Sequence, residues 1–102
     1  MSIKETNRAS TPGASAAAAA AETVALSALA WVLADEGRAL RLLDLTGLTP
    51  DQLRCGLHDP AVLGATLRFL ESHEPDLLAC AAAIGAGAAE LVQARRVLEE
   101  EL

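Results

Sequence analysis

The sequence predicts an all-α protein, a compact bundle of about six helices made of two similar three-helix units. Three observations carry this expectation. Hydrophobic residues make up 52% of the 102 residues while aromatics make up 2%, so the apolar content is mostly Ala and Leu, both strong helix formers. No run alternates with period two, as a half-buried strand would. Prolines, glycines and capping residues then divide the chain into stretches of helical length. A chain of this size forms one domain.

Residues 1–15 are polar and carry Pro12 and Gly13, which predicts a disordered tail ahead of a single helical domain over 16–102. The first helix runs from about Ala17 or Glu22 to Ala34. Val24, Leu26, Leu29, Trp31, Val32 and Leu33 leave it little polar face, which suits a central helix. Whether Ala16–Ala21 joins that helix stays open at this stage. Gly37 breaks it, and a second helix spans about Arg38 to Leu45, stopped by Gly47.

Thr49-Pro50-Asp51-Gln52 is the clearest local signal. Thr49 suits the N-cap and Gln52 completes a capping box. Pro50 stands where a missing N–H costs nothing, and Asp51 where the helix dipole favours an acid. This third helix is short, ending near Gly56. Asp59-Pro60 repeats the logic for a fourth helix, to about Ser72. Glu74-Pro75-Asp76 opens a fifth, ending before Gly85. A sixth starts near Gly87 or Ala88 and reaches about Glu100, where Glu99, Glu100 and Glu101 oppose the dipole and favour fraying.

A shift of 38 residues lays the chain on itself. Val24 falls on Val62, Leu29 on Leu67, Glu36 on Glu74, Leu40 on Leu78, Gly47 on Gly85 and Leu53 on Leu91. Trp31 coincides with Phe69, and the break at Gly37 with Pro75. One such unit is too small to bury its apolar stripe alone, so units 22–58 and 59–102 are expected to pack together. The expected core is Trp31, Phe69, Leu29, Leu67, Leu40, Leu78, Leu53 and Leu91.

The segments Ala28-Leu29-Ala30-Trp31, Ala34-Asp35-Glu36, Leu45 to Arg54, Asp59-Pro60 and Phe69-Leu70 together carry a family resemblance. Over about Val24 to Leu98 the chain resembles a family of short alphaproteobacterial proteins catalogued as domain of unknown function 3572. The resemblance implies a bacterial, cytoplasmic protein without assigned activity and brings no catalytic residues. Gly85-Ala86-Gly87-Ala88 departs from it, since similar proteins tend to keep a Pro-containing helix start there.

Charge excludes some partners. The chain carries 8 basic and 14 acidic residues, a net −6, and Arg95-Arg96 is its one adjacent basic pair. Nucleic acid and anionic membranes both demand a basic face, so neither is expected as a partner. The apolar stretch Ala16–Ala34 holds Glu22 and is followed by Asp35-Glu36, so it reads as a core helix rather than a leader or a membrane span.

Chemistry is sparse. Cys55, His58, His73 and Cys80 are spaced by two, fourteen and six residues, which fits no common zinc module. Cys55 and His58 stand at i, i+3, without an orienting group to make a nucleophilic pair. Asp35-Glu36 and Glu74/Asp76 suit helix breaks and starts rather than acid–base work. Gly85 and Gly87 follow no strand, unlike a phosphate loop. Arg38 and Arg41 share a helix face that Arg54 and Arg68 can join to receive an anion or an acidic partner, though a solvated face is the plainer expectation. The small residues of Ala79–Ala83 and Ala86–Ala89 suit close helix packing. No cofactor and no catalytic residue is expected. The expectation is a non-enzymatic protein–protein interaction or regulatory module, monomeric or weakly homodimeric. The alternative is a small-ligand or metal-binding helical protein.

Overall fold

A computed structural model describes the chain from Pro12 to Leu102, with side chains from Ala16. Six helices follow in order: α1 (Pro12–Leu33), α2 (Glu36–Thr46), α3 (Pro50–Cys55), α4 (Pro60–Glu71), α5 (Glu74–Ile84) and α6 (Ala88–Glu99). Among the described residues there is no strand.

Local chemistry sets most of the boundaries. Asp35 caps α2 by accepting the Arg38 N–H at 2.9 Å. Gly47 ends that helix in the left-handed region, φ 75°, and donates its N–H to the Leu43 carbonyl. Thr49 accepts from Gln52 N–H at 3.1 Å, while the Gln52 side chain accepts from Thr49 N–H at 2.9 Å, a complete capping box. Asp59 accepts from Ala61 N–H ahead of α4, with Pro60 in the first position. α5 starts at Glu74 without a side-chain cap, and Gly85, again at φ 75°, ends it.

α1 and α4 form the centre. Each packs against α6, α5 and α2 as well as the other, while α3 makes only minor contacts with the remaining helices. The inward stripe of α1 is Ala21, Ala25, Ala28, Leu29 and Val32, one face of a 3.6-residue period. α4 is the most enclosed helix, burying Val62, Leu63, Gly64, Thr66, Leu67, Phe69 and Leu70. Leu42, Leu53, Leu77, Cys80, Leu91, Ala94 and Leu98 close the core from the other four. Among the described residues the one buried polar side chain, Thr66, satisfies itself by donating to the Val62 carbonyl at 3.0 Å.

Several expectations are corrected. Pro12 to Ser15, expected in the tail, form the first turn of α1, and Ala16–Ala21 is helical. The remainder of the expected tail, 1–11, lies outside the described residues. Leu40 and Leu78, expected in the core, are 60% and 52% exposed. Both helices present another side chain inward. Leu42 is the buried residue of α2 and lies two positions, about 200°, round from Leu40; Leu77, Cys80 and Ala81 fill that place on α5. Trp31, expected in the core, is partly buried and packs against it, with the Arg38 guanidinium 3.6 Å from its ring centre. Phe69, Leu29, Leu67, Leu53 and Leu91 are buried.

Some helix starts and buried positions fall 38 residues apart. Pro12, Pro50 and Ala88 open helices 38 residues apart, as do Glu36 and Glu74. Ala25, Ala28, Leu29, Val32, Leu42, Leu53 and Gly56 are buried, and so are the residues 38 positions on: Leu63, Thr66, Leu67, Leu70, Cys80, Leu91 and Ala94. The packing is less regular, because α6 is seated on α1 and α4 whereas α3, its counterpart, is peripheral.

Candidate functional site

The four Cys and His side chains stand apart in character. Cys80 is fully buried, and burial pushes its thiol up from its ordinary pKa. Cys55, His58 and His73 are exposed. His58 pairs with Glu22 of α1, and among the described residues no three His, Cys, Asp or Glu side chains gather as a metal-holding group.

The arginines expected to share an anion-binding face are each engaged separately. Arg38 lies over Trp31 and donates to its carbonyl at 3.3 Å. Arg41 pairs with Asp76 at 2.9 Å, Arg54 with Asp51 and Arg68 with Glu99. Glu99 also accepts from Arg95 at 2.8 Å, and Arg95 reaches Glu71, so two arginines and two glutamates tie the end of α4 to the end of α6. The Arg68 hydrogen bond holds the Glu99 carboxyl below its ordinary value, and the Glu71 hydrogen bond raises Arg95 further.

The feature that the sequence did not single out is an apolar groove of about 320 Å³ lined by Leu33, Leu43, Pro50, Leu53, Arg54 and Leu57. Its walls are set by punctuation. α1 ends at Leu33, Asp35 caps the start of α2, Gly47 ends α2 in the left-handed conformation, and Thr49-Pro50 start α3. Leu53 forms the buried floor, while Leu33 and Leu57 on the rim are 43% and 39% exposed. Arg54 is the one charged residue lining it, and Asp51 already neutralises that charge. At the corresponding positions in the second half stand Glu71 and Arg95, joined as an ion pair. The first half thus has two leucines where the second has a salt bridge. A surface of this make-up can take up an apolar side chain but offers no group for proton transfer or nucleophilic attack. The signal in the sequence was Leu33 standing next to Val32, outside the inward stripe of α1, and Leu57 just past a break.

One described helix segment, Ala16–Leu33, is long and apolar enough to cross a membrane, with mean hydropathy 1.7. Its stripe from Ala21 to Val32 is covered by the other helices. The family model described as protein of unknown function (DUF3572) matches residues 18–101. No curated protein and no solved structure matches the chain.

Proposed function

The chain belongs to the DUF3572 family, proteins of unknown function, and we propose that it is a non-enzymatic helical module that binds another protein through the leucine groove. The observation that carries this is the exposed rim of Leu33 and Leu57 over the floor of Leu53. Leaving two large apolar side chains half in water forgoes burial worth about 1 kcal/mol or more at each, and a docked apolar face would recover it. Helix-in-groove recognition, with apolar anchors at i and i+3 or i+4, is the mode such a trough suits.

Affinity capture of the tagged full chain from its native host tests the reading. The intact chain should retain a partner that Leu33→Glu/Leu57→Glu loses, while Leu40→Glu, at a more exposed leucine outside the groove, retains it. Equal capture by all three variants would reject the groove as the binding surface.

We place the protein in the bacterial cytoplasm, with α1 as a core helix, a reading supported by the cover over Ala25, Ala28, Leu29 and Val32. We further read the halves as sister units, supported by the shared helix starts and buried positions.

A further inference from the structure

We propose that a second copy of this chain is a binding partner and that α6 is the element exchanged, each copy's α6 seating on α1 and α4 of the other. The chain turns twice in the same way, once from α2 to α3 and once from α5 to α6. Gly47 and Gly85 share φ 75°, and Thr49 (φ −92°, ψ 161°) and Gly87 (φ −93°, ψ 154°) share the extended conformation.

The two corners are fastened very differently. At the first, Leu48 is packed against the core, Thr49 makes a full capping box, and Pro50 forbids α2 from running on into α3. At the second, Ala86 replaces the leucine, Gly87 has no side chain with which to cap, and Ala88 replaces the proline. What remains is a 3.3 Å bond from Gly87 N–H to the Glu90 side chain, the Ala86 N–H bond to the Ala81 carbonyl at 2.9 Å that closes α5, and the partly buried Ile84 and Ala88 on either side. α5 and α6 meet there at 98°. Nothing in the alanine-rich sequence from Ala79 to Ala89 prevents them from straightening into one helix except the two glycines.

What holds α6 is therefore its seat rather than its tether. It buries Leu91, Ala94 and Leu98 against α1 and α4 and ties down through Arg95, Glu99, Glu71 and Arg68. A second copy offers the identical seat. Reciprocal exchange then preserves every contact and changes only the hinge and the entropy of association, which is why such exchange is a low-cost route to a dimer. The net charge of −6 opposes approach at low salt, so the exchange should be assayed at physiological ionic strength.

The test is refolding of the full chain at low and high concentration, followed by size separation with light scattering. A dimer of twice the 10.5 kDa chain mass should grow with refolding concentration and persist on dilution. Gly87→Thr with Ala88→Pro installs the first corner's fasteners and should shift the balance at least about tenfold toward monomer, because proline inside a continuous helix is strongly disfavoured. Gly85→Ala with Gly87→Ala penalises the turn, favours the straight helix, and should shift it toward dimer. A chain that stays monomeric in the wild type and in the double-alanine form overturns the proposal. So does a dimer whose amount is indifferent to both hinge changes, since that would be surface association.

Discussion

Gly56 is where a single added carbon has the most to disturb. A Cβ there would stand 2.6 Å from Val62 Cγ2 and 2.9 Å from the Gln52 carbonyl, so α3 and α4 would be forced apart. Gly56→Ala should destabilise by about 1–3 kcal/mol, the usual cost of overpacking, seen as a lower midpoint in urea. At Gly47 there is open space but φ is 75°, so Gly47→Ala is strained by its backbone alone and should cost about 1 kcal/mol. The leucines divide in the same way. Leu42 and Leu67 are fully buried, and truncation of either to Ala should cost about 2–5 kcal/mol. The same change at Leu40 or Leu78 should stay within about 0.5 kcal/mol, measured side by side by thermal melts.

At the scale of the helices, starts were legible because their causes are local. Thr49-Pro50-Asp51-Gln52 and Asp59-Pro60 each settle a boundary with residues three apart, and the observed α3 and α4 begin where those residues direct. Thr49→Ala should therefore cost about 1 kcal/mol, read from the urea midpoint, even though Thr49 is exposed. Which face a short helix turns inward was less legible. Leu40 and Leu78 matched each other across the repeat, but matching shows equivalence and not direction, and both point to solvent. The charges linking α4 to α6 bear on acid stability. The Glu99 carboxyl is held below its ordinary value of 4.5 by Arg68. Its contribution is thus present above that value and lost as pH falls through the lowered one. Glu99→Gln should flatten the acid limb of a stability–pH curve, whereas removing the exposed Arg54–Asp51 pair should leave it nearly unchanged.

The whole molecule is organised by one core to which all six helices contribute, with α1 and α4 at its centre. Glu71 and Arg95 bridge in one half where Leu33 and Leu57 lie open in the other. Fold class, helix number and most of the core could be read from composition and punctuation, since those depend on propensity and period. The groove could not, because it forms where the end of α1, α2 and the start of α3 meet around one space, and the exposure of Leu33 and Leu57 depends on that meeting rather than on their own stretches. The proposed docking surface is this groove. A photo-crosslinking amino acid placed at position 57, 40 or 78 of the full chain in living host cells tests it most directly. Irradiation should join position 57 to one recurrent protein, giving a discrete heavier band that positions 40 and 78 do not give. No band at 57, or the same bands at all three positions, would contradict the account.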